Sequence, residues 1–129
     1  MNLVIASLLL TGAMPWICAG IAKAGQKNYD NHNPREWLAR QTGYRARANA
    51  AQGNCFEAFP IYAVGVLLAF YTEVPQDEID LYASLFVTAR VAYIALYISD
   101  QDKLRSIAWV VGVICTVGLY IASMGSMGA

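Results

Sequence analysis

Charged residues are scarce in this chain of 129 residues. Asp, Glu, Lys and Arg together make up 14% of it, whereas hydrophobic residues make up 57%. Soluble globular domains carry about 25% charged residues, so the composition indicates a membrane protein. The positive and negative charges cancel to a formal net charge of zero, which gives no reason to expect a nucleic-acid partner.

The sequence also lacks the usual signatures of soluble enzymes. It contains one histidine, His32, and three cysteines, whose spacing matches neither a zinc site nor a disulfide framework. There is no Gly-rich phosphate loop and no Ser-His-Asp order. We therefore predict no metal site and expect Cys18, Cys55 and Cys115 to be packing residues, one in each of three apolar segments. Because Cys55 lies on a different helical face from Asn54, no catalytic role is expected for it.

The first apolar segment contains no charge between Asn2 and Ala22. A helix of this length spans about 31 Å and matches the ~30 Å hydrocarbon core of a bilayer. A secretory signal peptide would carry a basic residue before a shorter apolar run, so we expect a retained membrane helix. Three further apolar segments predict a single four-span membrane domain, residues 1–129. The expected spans are 2–22, 44–72, 76–99 and 102–124.

The one long polar stretch, residues 23–43, is expected to lie in water and to contain a short surface helix. Asn33 is in position to cap this helix, with a proline at its first position and Glu36 at its third. Trp37 and its neighbour Leu38 are expected to rest on the membrane interface. Gly43 is expected to end the helix.

Lys and Arg are absent from the loop that joins the second and third spans. Eight of the nine basic residues lie instead in the first loop, on its flanks or around the third loop. Basic residues accumulate on the cytosolic side of membrane proteins. The sequence therefore predicts that the first and third loops face the cytosol and that both termini face the non-cytosolic side.

The few polar residues inside the spans predict a functional site. Glu57 lies ten residues after Arg47, about 15 Å along a helix and well inside a bilayer. Asn54 lies on the same face as Glu57. In the third span, Arg90 lies ten residues before Asp100, at a depth similar to that of Glu57. Intramembrane charges usually mark a site. A purely structural ion pair between Glu57 and Arg90 is the alternative.

Two motifs in these spans resemble a known family. The segment Asn54–Pro60, NCFEAFP, is preceded by Arg47 and Gln52 and resembles the second-helix motif of the MAPEG family, the membrane-associated proteins of eicosanoid and glutathione metabolism. Residues 89–97, ARVAYIALY, are similar to the Arg-xx-Tyr-xxx-Tyr run of its leukotriene-forming members. Four spans, the long first loop and outward termini extend the resemblance over nearly the whole chain.

The resemblance implies an all-α, integral membrane four-helix bundle that forms a homotrimer, with sites at the subunit interfaces. It also implies a glutathione transferase or peroxidase that acts on lipophilic electrophiles or lipid hydroperoxides, with glutathione as the co-substrate and membrane lipids around it. Arg105 would be the catalytic residue, near the glutathione sulfur. The residues implied to bind glutathione are Arg47, Gln52, Asn54, Glu57, Arg90, Tyr93 and Tyr97. From spacing alone, Tyr93 and Tyr97 are also compatible with ordinary interfacial aromatic residues.

The chain departs from the family pattern at two positions. Ala50 stands where the leukotriene-forming members carry another arginine, and Ala58 stands where they carry a tyrosine. Lys23 is the nearest candidate for the cationic residue that the family has at the end of its first helix. Two other functions stay open: a non-catalytic member of the family that binds lipid or glutathione, and a small proton-coupled exporter. Such exporters place their acid in the first helix, which is uncharged here.

Overall fold

The computed structural model describes residues 2–128, and this part of the chain forms helices and no strands. Four of the five helices are long and apolar enough to cross a membrane. The all-α prediction with four such helices is therefore confirmed. The helices are α1 (Asn2–Lys23), α2 (Pro34–Ala39), α3 (Gly43–Tyr71), α4 (Gln76–Ile98) and α5 (Asp102–Met127).

The four long helices run alternately up and down and pack as a bundle. Helix α1 contacts α3 and α4, and α5 contacts the same two helices from another side. We call the end that carries α2 and the α4–α5 turn the α2 end, and the end where α1 begins and α5 finishes the terminal end. Large apolar side chains such as Leu9, Trp16 and Ile114 remain exposed around the bundle. In a bilayer these side chains face lipid.

The bundle core divides into clusters along its length. At the terminal end, the Tyr62 ring stacks on Phe86 with ring centroids 3.8 Å apart, and its hydroxyl hydrogen-bonds Ser7 at 2.6 Å. Nearer the α2 end, a second cluster joins α1, α3 and α4 through Met14, Cys18, Ala51, Cys55, Tyr93 and Ile94, with Ala108 from α5. Every buried side-chain nitrogen and oxygen atom of residues 2–128 has a hydrogen-bond partner, as a membrane interior requires.

Helix α2 starts at Pro34, where the sequence places it, but it is held differently. The side chain of Asn33 makes no capping hydrogen bond. The carboxylate of Asp30 instead accepts hydrogen bonds from the backbone N–H groups of His32 at 2.8 Å and Asn33 at 3.3 Å. Gly43 does not end α2, which finishes at Ala39. It has a φ of +60° and is the first residue of α3.

The prediction that Trp37 and Leu38 rest on the membrane interface is wrong. Both side chains are buried, with 9% and 7% of their surface exposed, in a cluster with Ala22 of α1 and Ala48 of α3. Helix α2 therefore turns its apolar side toward the bundle and covers the ends of α1 and α3. Burying this surface against protein stabilises the long loop as part of the fold.

Candidate functional site

Two arginines at the start of α3 bind the carbonyl ends of neighbouring helices. Arg45 Nη1 donates to the carbonyl oxygens of Ala22 at 2.9 Å and Ala24 at 2.7 Å. Arg47 Nε donates to the carbonyl oxygen of Ile98 at 3.0 Å. The last carbonyls of a helix have no partner within the helix and carry the negative end of its dipole, so a cation stabilises them. Arg47 thus caps α4 in this structure.

Arg90 of α4 is the centre of the polar contacts inside the bundle. Only 3% of its surface is exposed. Its Nη1 donates to Asn54 Oδ1 at 2.9 Å and its Nη2 donates to Cys55 Sγ at 3.2 Å. The guanidinium also lies over the Tyr93 ring, 4.4 Å from its centroid. Among residues 2–128, no carboxylate lies close enough to form an ion pair with it.

A row of side chains continues from Arg90 toward the α2 end. The rings of Tyr93 and Tyr97 meet edge to face with centroids 5.6 Å apart, and Arg105 of α5 lies over Tyr97 at 4.1 Å. We call Arg90, Tyr93, Tyr97 and Arg105 the Arg–Tyr stack. Each guanidinium is attracted to the face of the tyrosine that it covers, so the stack holds both guanidinium groups in place and links α4 to α5.

A cavity of about 390 Å³ lies beside Arg90, between α3, α4 and α5. We call it the main cavity. Its polar lining comes from Asn54, Glu57, Arg90 and Thr116, and the small residues Ala58 and Gly112 leave room within it. The cavity also has an apolar wall, most of which lies between Arg90 and the terminal end. That wall consists of Ile61, Phe86, Trp109, Val113 and Val117.

The main cavity opens on the outer surface of the bundle, because Glu57, Ile61 and Val113 remain exposed. Glu57 and Arg90 line the same cavity, yet they form no ion pair within residues 2–128. Arg90 is bound to Asn54 and Cys55 instead. The cavity therefore presents a carboxylate and a guanidinium that are separate from each other and next to an apolar chamber.

The predicted site residues fall into three groups, and the structure brings two of them together. Asn54, Glu57 and Arg90 meet at the main cavity. Tyr93, Tyr97 and Arg105 join Arg90 through the Arg–Tyr stack.

Arg47 and Gln52 are not brought into this arrangement. Gln52 precedes Asn54 by two residues, a rotation of about 200° that turns it to the opposite side of α3. Lys23 also lies elsewhere, with its Nζ over the Tyr29 ring at 4.7 Å.

The sequence interpretation missed the apolar wall of the cavity and the contact between Arg90 and Cys55. Phe86, Trp109 and Val113 look like ordinary span residues, and no spacing marks them as neighbours of Glu57. Cys55 is on a different face from Asn54, but a guanidinium carries several donors in a fork and can reach both residues at once.

Comparison with known proteins gives one match. The model of the MAPEG family matches residues 3–125, which include nearly all of the four long helices. No match was found among curated proteins or among solved structures. Because the match covers almost the entire chain, it establishes the family and, together with the four apolar helices, an integral membrane protein. The chain belongs to the MAPEG family, the membrane proteins of eicosanoid and glutathione metabolism.

Proposed function

We propose that the protein is a membrane-bound glutathione transferase or peroxidase that acts on lipophilic electrophiles or lipid hydroperoxides. The observation that carries this proposal is Arg90, a buried cation beside the main cavity that has no carboxylate partner within residues 2–128. A buried charge without a counter-ion is costly. An anionic ligand in the cavity would lower that cost, and glutathione carries two carboxylates and an ionisable thiol.

The other polar groups of the cavity complement the rest of glutathione. The Oδ1 of Asn54 accepts from Arg90, so its amide N–H groups are left to donate to a ligand carbonyl or carboxylate. Glu57 offers a carboxylate to the glutathione ammonium group. We propose that Arg47, Gln52, Tyr93 and Tyr97 also contact glutathione. Some of these long side chains would reach the glutathione of their own subunit from the α2 end, and others would reach the glutathione of a neighbouring subunit.

Arg105 is the proposed catalytic residue. It lies in the first turn of α5, where the positive end of the helix dipole adds to its charge. Its stacking on Tyr97 restrains the guanidinium. A thiol attacks an electrophile as the thiolate, and a nearby cation favours that ionised form. Arg105 would therefore stabilise the glutathione sulfur as it becomes the nucleophile.

The lipophilic substrate would occupy the apolar part of the main cavity. The wall formed by Ile61, Phe86 and Val113 suits a hydrocarbon group, and the part of the opening that a neighbouring subunit leaves uncovered would face lipid. A substrate dissolved in the bilayer could enter sideways. Its reactive group would then meet the glutathione sulfur at the end of the cavity nearest Arg105.

We also propose a homotrimer with sites shared between subunits. Glu57 is exposed on the single chain, although it lies well inside a bilayer. A carboxylate that faces lipid is costly, and a neighbouring subunit would cover it. Gln52, on the opposite side of α3, could then contact only the site of another subunit.

Native mass spectrometry in mild detergent tests binding and assembly together. We expect a trimer that takes up one glutathione per subunit, because each subunit contributes one main cavity. Glu57→Gln should retain the trimer and bind less glutathione, since it keeps the shape of the side chain and loses the charge that would attract the ammonium group.

Each other outcome of this experiment contradicts a definite part of the proposal. A trimer without glutathione would indicate a non-catalytic member of the family. Glutathione bound to monomers would show that the site is not shared. Equal binding by Glu57→Gln would remove Glu57 from the site.

We propose that both termini lie on the non-cytosolic side, since the basic residues cluster at the α2 end. Cysteines introduced at the exposed positions Asn31 and Gln76 should react with a membrane-impermeant maleimide from opposite sides of oriented vesicles, with Asn31 on the cytosolic side. The three native cysteines are buried and provide the background in the unmodified chain. Labelling of both positions from one side, or in the reverse order, would overturn this topology.

A further inference from the structure

Two buried thiols face each other across the contact between α1 and α3. Cys18 is fully buried, 3% of Cys55 is exposed, and both belong to the same core cluster. The two helices are antiparallel. Ser7 meets Tyr62 near the terminal end, and Ala22 and Ala48 share a cluster near the α2 end. By this register Cys18 lies level with Ala51, about one turn from Cys55. Side chains tilt toward the N-terminus of their own helix, so in these antiparallel helices the two cysteine side chains lean toward each other and come into contact.

Arg90 distinguishes this thiol pair from ordinary packing cysteines. Its Nη2 donates to Cys55 Sγ at 3.2 Å. A guanidinium in contact with sulfur stabilises the negative charge that the sulfur carries when it attacks or leaves. Cys115 has no such partner within residues 2–128, and it packs in the terminal-end cluster with residues such as Val66 and Leu119.

Only one layer of side chains separates Cys55 from the main cavity. A second, narrow void is lined by Cys55 together with Met14 and Phe59. Three of its lining residues, Ala58, Phe86 and Arg90, also line the main cavity. Ala58 contributes a single methyl group to this partition. The space beside Cys55 is too small to hold a water molecule, so the side chains of Ala58, Phe86 and Arg90 must move before a hydroperoxide in the main cavity can reach the sulfur.

We propose that Cys55 and Cys18 form a redox site that hydroperoxides entering the main cavity oxidise to a disulfide. The Cys55 sulfur attacks the terminal oxygen of the hydroperoxide, an S–O bond forms and the O–O bond breaks. The alcohol leaves with the Cys55 proton, and Cys55 becomes a sulfenic acid. The Cys18 sulfur then attacks the Cys55 sulfur, the S–S bond replaces the S–O bond, and hydroxide leaves with the Cys18 proton as water.

In this sequence the two thiols lose two electrons and the hydroperoxide is reduced to alcohol and water. No glutathione takes part in it. The site therefore depends on the main cavity and on the thiol pair alone, and it does not rest on the proposed transferase or peroxidase function.

The test uses the full chain in mild detergent, reduced and then freed of reductant, with cumene hydroperoxide as the oxidant and no glutathione. We expect the intact mass to fall by about 2 Da, the loss of two hydrogens on disulfide formation. Peptide mapping should place the bond between Cys18 and Cys55. Cys115→Ser is the matched control and should form the same bond.

Single variants of the pair separate the two steps. In Cys18→Ser, the sulfenic acid on Cys55 has no thiol to resolve it and should be trapped by dimedone. In Cys55→Ser, neither the disulfide nor a dimedone adduct at Cys18 should form.

The proposal is overturned if Cys18 and Cys55 remain thiols in the unmodified chain, or if Cys115 is oxidised as fast as Cys55. Both outcomes are read from the unmodified protein, so they stand even if a variant fails to fold. The two proposals fail independently. If no disulfide forms, glutathione can still bind to the main cavity, and if glutathione does not bind, the disulfide is still expected to form.

Discussion

Replacing Arg105 by leucine should lower the single-turnover rate at saturating glutathione by about a hundredfold, the effect of removing one charge-stabilising donor from an active site. Glutathione binding should weaken far less. Asn54, Glu57 and Arg90 would hold the ligand in the ground state and the transition state alike, whereas Arg105 would act on the charge of the sulfur. Only an interaction that grows with that charge changes turnover more than binding.

The position of Arg105 supports a larger effect on turnover than on glutathione binding. Its guanidinium is held over Tyr97 at 4.1 Å, at the end of the Arg–Tyr stack, and it does not line the main cavity. It can therefore approach one end of a bound ligand without forming the rest of the site. The alternative is a side chain that extends to the headgroups and only anchors α5 in the membrane.

Glutathione thiolate absorbance and single-turnover kinetics distinguish these roles, with Lys103→Leu as the matched control. Lys103 lies in the same first turn of α5, carries the same charge and is exposed. We expect it to behave like the unmodified protein. If Arg105→Leu binds, ionises and consumes glutathione at the unmodified rate, Arg105 is an anchor and its catalytic assignment is wrong.

Replacing Arg90 by methionine should weaken glutathione binding by about thirtyfold or more. Removing one partner of a buried, charged hydrogen-bond pair costs about 2–5 kcal/mol, and 1.4 kcal/mol corresponds to a factor of ten. The fold should persist. Methionine fills a similar volume, and exchanging a buried charge for an apolar side chain is often neutral for stability. Asn54 faces the cavity, where it can find another partner.

Calorimetric titration with glutathione and a thermal unfolding midpoint should be measured for the same preparation. Arg35→Met is the control, because Arg35 is an exposed arginine of α2 that lines no part of the main cavity. We expect it to change neither quantity. If Arg90→Met lowers the unfolding midpoint while the folded fraction binds glutathione normally, Arg90 has only a structural role. Its burial without a carboxylate partner would then no longer support the proposed function.

Much of this arrangement could be read from spacing along single helices. The interval between Asn54 and Glu57 places them on one face, and both line the main cavity. The intervals from Arg90 to Tyr93 and Tyr97 predict one stripe, and the three side chains do form part of the Arg–Tyr stack. These relations are local, because helix geometry fixes them whatever the helix packs against.

The contacts of Arg90 and Arg47 could not be predicted from spacing along a single helix. The sequence predicts similar depths for Arg90 and Glu57, which is compatible with an ion pair, yet Arg90 binds Asn54 and Cys55. Depth follows from counting residues, but the direction of a side chain around the helix axis relative to another helix does not. For the same reason Arg47 could be placed near the α2 end, and its hydrogen bond to the carbonyl of Ile98 could not.

The membrane class and the residues that share each helical face follow from the sequence alone, since composition and a period of 3.6 residues are properties of the chain, and the two motifs of α3 and α4 indicate the family. Which faces meet depends on the tertiary structure. It buried Trp37 and Leu38 against α1 and α3, set Cys18 opposite Cys55, and enclosed a cavity between three helices. Each of these contacts joins residues far apart in the chain, and their pairing depends on how whole helices pack together, which no local pattern encodes.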